Sequence, residues 1–249
     1  MIKLGLIGYP LGHSFSKKYY LEKFENEHIT GVDYDLYPVE HVPDFVQQLI
    51  ADTDFRGFNI TIPHKQSIIP FLTELSEEAQ DMQAVNCVTR QQKDGRVVLK
   101  GYNTDAFGFE ESLKPLLKPG HKKALVLGNG GAAKAVFYVL RKLGIAYLRV
   151  SRTAENGDIT YADLDENLMQ TYTLIVNCSP VGTFPHVTQA PDIPYQYITE
   201  AHLLYDLIYN PAETAFLKYG KDRGAQVKNG YDMLVLQAEK NWQIWSNNF

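Results

Sequence analysis

The stretch that most limits what this chain can fold into is Ala124-Leu125-Val126-Leu127-Gly128-Asn129-Gly130-Gly131-Ala132-Ala133-Lys134-Ala135-Val136. Four apolar residues run into a glycine cluster, and the cluster runs into the helical spacing of Ala135-Val136, Val139-Leu140 and Leu143. That order reads as strand, tight turn, helix. Gly128, Gly130 and Ala133 fit G-x-G-x-x-A, in which the first glycine allows the turn and the second lets a pyrophosphate approach the backbone. The small third residue lets the helix pack on the strand. A helix N-terminus at that place presents N–H groups and a positive dipole end to phosphate. A glycine-rich connection without a ligand has the same local pattern, and the flanking strand and helix are what favour a nucleotide. A dinucleotide domain that begins near residue 120 leaves a long N-terminal segment, which should hold the other reactant.

A chain of 249 residues with 45% hydrophobic content has room for two modest domains. The net charge of −5 supplies no basic footprint, so neither nucleic acid nor an anionic membrane is an expected partner. A small anionic substrate would instead need locally placed donors. Cys87 and Cys178 are far apart and lack C-x-x-C or metal spacing, which argues against a disulfide framework or a zinc site and suits a reducing cytoplasm. The segment Met1-Ile2-Lys3-Leu4-Gly5-Leu6-Ile7-Gly8 is too short and glycine-broken for a signal peptide, and no apolar run of about 18 residues occurs. A cytoplasmic protein without membrane or metal is expected.

Taken in order, Ile2 to Ile7 reads as a buried strand, followed by a helix whose apolar face is Tyr19-Tyr20-Leu21 and Phe24. Ser14 and Ser16 sit at the join, where they can cap the helix or together grip a carboxylate. Val32 to Val39 alternates as a second strand, Val42 to Ile50 is a second helix, and Phe55 to Pro63 is a third strand. On that strand Asn59 and Thr61 project to one side, and Lys65 follows at the mouth of the sheet, where open α/β folds place ligands. A polar helix is expected over Glu74 to Met82, a strand over Ala84 to Thr89, and a hairpin turn at Lys93-Asp94-Gly95-Arg96. Asn86 inside that strand is either an internal hydrogen-bonding group or a ligand contact. Gly101-Tyr102-Asn103-Thr104-Asp105 starts a helix reaching about Leu117, with Asp105 in the dipole-favoured first turn.

The second strand of the nucleotide region, Tyr147 to Val150, ends in Ser151-Arg152-Thr153. An NAD site of the usual kind expects an acid about 20 residues after the glycines to hold the ribose 2′-hydroxyl. None stands at the end of this strand, whereas an arginine flanked by two hydroxyls suits a 2′-phosphate. Leu174 to Pro180 and Leu203 to Pro211 read as further strands, Gly182 to about Pro194 as loop, and Thr214 to Tyr219 as helix. A short strand at Ala225 to Val227 precedes a C-terminal helix over Met233 to Trp245, with Val235, Ala238, Trp242 and Trp245 on its apolar face.

The constellation resembles the shikimate dehydrogenase family over essentially the whole chain. The resemblance rests on Gly12-His13-Ser14-Phe15-Ser16, Gly57-Phe58-Asn59-Ile60-Thr61-Ile62-Pro63-His64-Lys65, Ala84-Val85-Asn86 and Gly101-Tyr102-Asn103-Thr104-Asp105. It continues through Gly128 to Ala132, Ser151-Arg152-Thr153, Asn177-Cys178-Ser179-Pro180, Tyr205 to Pro211 and Met233-Leu234-Val235-Leu236-Gln237-Ala238. It implies an α/β fold of two domains, with an N-terminal substrate domain of mixed sheet, a Rossmann-type dinucleotide domain and the active site in the cleft between them. The implied boundaries are 1–103 plus 232–249 for substrate and 104–231 for NADP.

By the same resemblance the reaction is reversible NADP-dependent reduction of 3-dehydroshikimate to shikimate, on the way to chorismate and the aromatic amino acids, by a monomer or homodimer. Lys65 and Asp105 are the implied catalytic pair. Ser14 and Ser16 would hold the ring carboxylate with Thr61 and Tyr209 nearby, Asn86, Asp105, Lys65 and Gln237 would hold the hydroxyls, and Asn59 is a further implied substrate-binding residue. Gly128, Asn129, Gly130, Gly131, Ala132, Ser151, Arg152, Thr153, Asn177, Leu207 and Gly230 would bind NADP.

Four places depart from the family pattern: Lys17 replaces a proline, Thr183 a methionine, Asp232 a glycine, and Ala154-Glu155-Asn156 lacks a further basic residue. The last departure leaves a quinate/shikimate dehydrogenase with relaxed NAD/NADP use as an alternative. A ligand sensor on the same scaffold would predict loss of Lys65 or Asp105, and both are present.

Overall fold

Apolar strand runs give way to glycine or proline at several strand ends, at Gly8, Pro38 and Gly128 among them, and the chain breaks into short α and β elements. The computed structural model describes residues 1–11 and 14–249, and Gly12 and His13 of the first motif lie outside the described residues. Two compact units emerge: Met1–Thr104 with Gln237–Phe249, and Asp105–Leu236.

The first unit opens β1 (Ile2–Gly8), α1 (Phe15–Asn26), β2 (Val32–Pro38), α2 (Val42–Ala51), β3 (Phe55–Ile60) and α3 (His64–Ser67). It continues with β4 (Glu74–Leu75), α4 (Glu77–Met82), β5 (Cys87–Lys93) and β6 (Arg96–Tyr102). The sheet order is β2-β1-β3-β5-β6-β4. It is mixed: β1 runs parallel to β2 and β3, β4 is parallel to β6, and β5 is antiparallel to β3 and β6. One core gathers Ile7, Phe45, Leu49, Phe58, Val85 and Leu99, and another gathers Leu4, Tyr20, Phe24, Tyr34, Ala238 and Trp245. The Trp245 indole donates to the Val88 carbonyl at 3.0 Å, which fastens the C-terminal helix to this sheet. On the edge strand β2 the Asp33 and Asp35 carboxylates accept the N–H groups of Tyr34 and Leu36, each at 2.8 Å. Those bonds satisfy edge donors that would otherwise invite another strand.

The second unit contains α5 (Thr104–Leu113, from Asp105 on), β7 (Lys123–Leu127), α6 (Ala133–Lys142), β8 (Ala146–Ser151), β9 (Ile159–Thr160) and α7 (Glu166–Thr171). It then adds β10 (Leu174–Asn177), β11 (Leu203–Asp206), α8 (Ala215–Asp222), β12 (Gln226–Lys228) and the start of α9 (Tyr231–Ser246). All pairings are parallel and the order is β12-β11-β10-β7-β8-β9. Numbered within the unit this is 3-2-1-4-5-6, the doubly wound dinucleotide order, with its reversal between β7 and β10. Leu125, Leu127, Val150, Ile175 and Leu204 fill the core against Phe216 and Leu217 of α8.

Several elements differ from the sequence expectations for local reasons. Glu74 and Leu75 pair with Lys100 and Gly101 as a strand, and the helix waits for Ser76, whose side chain accepts the Ala79 N–H. The strand expected from Ala84 begins at Cys87 because Val85 and Asn86 donate instead to the Lys65 and Tyr102 carbonyls. The third strand ends at Ile60 rather than Pro63, and Thr61 already lies past it. The strand expected to reach Pro211 stops at Asp206, whose carboxylate accepts the Ile208 N–H and bends the chain. Pro115, which has no N–H, converts the end of α5 to a 3-10 turn over Lys114–Leu116. Leu21, expected inward, faces solvent on α1, where Tyr20 and Phe24 do the packing. The elements β9 and α7 had no clear pattern, being two and six residues long.

Candidate functional site

In the second unit, strand register sets Leu127 beside Asn177, Asn177 beside Asp206, and Leu127 beside Val150. The C-terminal ends of the central parallel strands therefore form one row, the edge at which open α/β sheets bind ligands. Gly128 to Ala132 follow β7, Ser151 to Thr153 end β8, Asn177 ends β10, Leu207 follows β11 and Gly230 follows β12. An open depression of about 540 Å³ lined by Lys118, Glu200, Ala201 and Gln226 lies instead beside residues that precede the strands.

The glycine turn has the shape a pyrophosphate needs. Gly128 takes φ +104°, which a side chain would resist, and its Cα lies against Ser179 so closely that an added Cβ would meet the Ser179 nitrogen at 3.3 Å. A Cβ at Gly130 or Gly131 would meet nothing within 4 Å, so the space above the turn is open. No side chain caps α6 at Ala132, which leaves that helix end available to an anion. These features, with the exposed Arg152 cation, fit the diphosphate and 2′-phosphate of a dinucleotide. Gly230 has a different reason to be glycine: a Cβ there would lie 2.1 Å from the Leu207 carbonyl oxygen, so the entry to α9 packs directly on the backbone after β11.

Asn177 and Asp206 brace that edge from below. Asn177 donates Nδ2–H to Asp206 at 3.0 Å, while its Oδ1 accepts from the Ser179 N–H and hydroxyl at 3.0 and 2.7 Å. Asp206 also accepts from Thr214 at 2.6 Å. Burial pushes the Asp206 carboxyl up to about 6, against the opposing pull of these hydrogen bonds. Burial likewise pushes the Cys178 and Cys87 thiols well up, so neither is a ready nucleophile.

Of the expected substrate residues, Ser14, Ser16, Asn59, Thr61, Lys65, Asn86 and Gln237 lie in the first unit. Ser14 occupies the N-cap position of α1 but its side chain makes no cap hydrogen bond. Ser16 follows in the first turn of α1, and the Tyr34 hydroxyl on β2 donates to Asn59 Oδ1 at 2.9 Å. Asn59 donates to the Asn86 carbonyl at 3.1 Å, and Asn86 Nδ2–H donates to Thr104 Oγ1 at 3.0 Å. The Thr104 hydroxyl donates to Asn241 Oδ1 at 2.6 Å, and Asn241 Nδ2–H donates to Gln237 Oε1 at 3.0 Å. One buried chain of polar groups thus runs from β2 across the sheet to α9. Tyr34, Thr104 and Asn241 were missed in the sequence; the signal was Asn241 one helical turn beyond Gln237 on the buried stripe of Ala238 and Trp245.

Lys65 sits half-buried in α3, and its carbonyl accepts the Val85 N–H at 2.8 Å. Asp105 stands in the first turn of α5 and Tyr209 is exposed after β11, both in the second unit. Of the departures from the family pattern, Lys17 pairs with Asp35 at 2.6 Å, Asp232 pairs with Lys228, and Thr183 lies beside the Asn210 carbonyl. Among the described residues no group of three or more His, Cys, Asp or Glu gathers as a metal cage, and no helix is long and apolar enough to cross a membrane.

Comparison with known proteins bears directly on this geometry. The family described as the shikimate dehydrogenase substrate binding domain matches residues 6–88. A shikimate dehydrogenase (NADP(+)) of Caldanaerobacter subterraneus subsp. tengcongensis is 34% identical, the match covering 98% of this chain and 91% of that protein. The enzyme of the same name from Carboxydothermus hydrogenoformans is 36% identical over 97% of this chain and 90% of its own. The chain belongs to the shikimate dehydrogenase family. The crystal structure of shikimate 5-dehydrogenase from Thermus thermophilus in complex with NADP(H) and shikimate superposes with a TM-score of 0.85 at 31% identity, covering 99% of this chain and 94% of that one. The mixed N-terminal sheet and the Rossmann-type parallel sheet are therefore the family's substrate and nucleotide folds.

Proposed function

We propose that this chain is an NADP-dependent shikimate dehydrogenase that interconverts 3-dehydroshikimate and shikimate on the route to the aromatic amino acids. The observation that carries the reading is identity of about a third to enzymes of that name over 97% or more of the chain. NADP, when bound, supplies or takes the hydride. In the reductive direction the ketone oxygen gains negative charge as hydride arrives at its carbon. The Lys65 ammonium stabilises that charge and delivers the proton, a contact stronger in the transition state than with the neutral ketone. Asp105 orients the lysine and the hydroxyl it serves.

Ser14 and Ser16 hold the ring carboxylate with Thr61 and Tyr209, while Asn59, Asn86 and Gln237 serve the ring hydroxyls. A side-chain amide offers a hydroxyl both donors and an acceptor. Gly128 to Ala132, Ser151 to Thr153, Asn177, Leu207 and Gly230 form the NADP site. The open glycine turn and the uncapped α6 support that assignment. The substrate domain is read as 1–103 with 232–249 and the NADP domain as 104–231, in a cytoplasmic monomer or homodimer.

The test is appearance of reduced nicotinamide absorbance when shikimate is added to protein and NADP. Turnover of shikimate with NADP in clear preference to quinate and NAD is the expected result. Turnover of quinate alone, or none with either acid, would overturn the assignment.

A further inference from the structure

Lys65 owes its place to the residue before it. It stands in α3, a helix of four residues in which the Ile68 N–H donates to the His64 carbonyl at 3.1 Å. A single turn of that kind does not hold itself together, because nucleating a helix costs more than its first hydrogen bond returns. Bonds to other segments therefore set its position. The His64 imidazole is buried, and its Nε2 lies 2.6 Å from the carbonyl of Val39, just past β2. A carbonyl only accepts, so Nε2 carries the proton, and Nδ1 faces the Ser67 hydroxyl at 3.3 Å. Val39 is fixed in turn, its N–H donating to the carbonyl of Gly8 at the end of β1 at 3.0 Å. The second tie is at Lys65, whose carbonyl accepts the Val85 N–H at 2.8 Å, and buried Ile68 closes the helix into the core. Successive helical residues point about 100° apart. Turning His64 inward onto Val39 thus fixes the direction in which the half-buried Lys65 leaves the helix.

We propose that His64 is a positioning residue for Lys65: its bond to the Val39 carbonyl sets the rotation of α3 and with it the reach of the ammonium. The inference rests on the reading that Lys65 acts in the chemical step. An acid–base group must lie within hydrogen-bond reach of the atom it serves, and small misplacements are costly in rate. A loosened α3 leaves Lys65 its charge and its stem but not its aim. Shikimate binding is assigned to Ser14, Ser16, Asn86 and Gln237 on other elements, so the loss falls on turnover and not on the Michaelis constant.

Kinetics of shikimate oxidation with NADP test this in wild type, His64→Leu, His64→Gln, Lys65→Met and the double variant of His64→Leu with Lys65→Met, each assayed well below its melting temperature. In His64→Leu turnover should fall about 10-fold to 100-fold, the scale of a misplaced catalytic group, with the Michaelis constant for shikimate within about twofold. Glutamine carries an amide N–H near the place of Nε2 and should return turnover to within about threefold of wild type. Leucine at position 64 should cost Lys65→Met nothing further, since a residue that acts through Lys65 has no effect once the ammonium is gone. Should His64→Leu not fold, His64→Asn takes its place, because an amide one methylene shorter falls short of Val39. Normal turnover in the Leu or Asn variant, a loss in His64→Gln as large as in that variant, or a further loss on top of Lys65→Met overturns the proposal. Lys65→Met with near-normal turnover overturns the reading of Lys65 itself and this inference with it.

Discussion

The two units prepare for a ligand in opposite ways. In the N-terminal unit Tyr34, Asn59, Asn86, Thr104, Asn241 and Gln237 already bond one another in a buried chain. At the edge of the parallel sheet the glycine turn leaves space that no atom fills and a helix end that no side chain caps. Under the proposed assignment a polar substrate ring would meet side chains whose positions are fixed in advance by their mutual hydrogen bonds, which lowers the ordering cost of binding. A diphosphate is met by backbone, which needs only room and orientation. The difference predicts that damage to the first region should show in both stability and substrate affinity. Damage to the open edge of the second should show mainly in cofactor binding.

The sharpest departure from that rule, and the largest expected effect, is Lys65. It belongs to the first unit, its carbonyl bonded to the N–H of Val85 next to Asn86, yet the proposed role places it in the chemical step. Lys65→Met keeps the apolar stem and removes the charge, so turnover should fall roughly 100-fold or more, the scale of a lost acid–base group. The Michaelis constant for shikimate and the melting temperature should change little. Near-normal turnover with a raised Michaelis constant would assign Lys65 to uniform binding and the proton to another group.

Asp206 sharpens the contrast through pH. Its carboxyl stands at about 6 against an ordinary 3.8. The folded state therefore binds a proton more readily than the unfolded chain, and the associated stability is fully present below about pH 4. That stability is lost as pH rises through about 6, amounting to about 3 kcal/mol across the window. Asp206→Asn cannot titrate, so the stability of wild type relative to the variant should decline by that amount between pH 4 and 7 and stay level above it. Denaturant unfolding at stepped pH measures this. A difference independent of pH would mean that Asp206 ionises as it would in water.

Much of this division was legible in the sequence. The G-x-G-x-x-A run between an apolar strand and a helical stripe announced the nucleotide fold, because glycine spacing reports backbone geometry directly. Asn86 stood out as a polar residue inside an apolar run, Asn59 by its place on the third strand, and Gln237 only through the family resemblance. What the sequence did not carry was their mutual bonding, since Tyr34, Thr104 and Asn241 lie 25, 18 and 137 positions from the partners they bond. Strand ends set by a single carboxylate, such as Asp206 stopping β11, were equally invisible to periodicity.

Asn241 tests whether the buried chain serves the substrate or only the fold. Asn241→Leu preserves bulk on α9 but removes the acceptor at 2.6 Å from the Thr104 hydroxyl and the donor to Gln237 Oε1, while Thr104 keeps its bonds to Asn86. Losing these two buried hydrogen bonds should cost about 1–3 kcal/mol in unfolding experiments. With Asn86 and Gln237 less firmly held, the Michaelis constant for shikimate should rise severalfold while NADP affinity holds. Lost stability with unchanged shikimate affinity would reduce the chain to scaffolding and break the comparison.

The smallest expected change in stability belongs to Ser14, and it separates the two roles a serine can have at a helix start. A serine that caps contributes about 1 kcal/mol through a bond to a first-turn N–H. Ser14 occupies the N-cap position without making that bond, so Ser14→Ala should alter unfolding free energy by no more than about 0.5 kcal/mol. Ser16→Ala leaves the bond from the Tyr34 hydroxyl to Asn59 intact and should likewise alter unfolding free energy by no more than about 0.5 kcal/mol. Both variants should weaken shikimate binding, because a carboxylate loses a hydroxyl donor in each case. An affinity loss in Ser14→Ala without a stability loss would assign the hydroxyl to the ligand. A stability loss of a full capping bond with unaltered affinity would assign it to the helix and leave the substrate carboxylate to other donors.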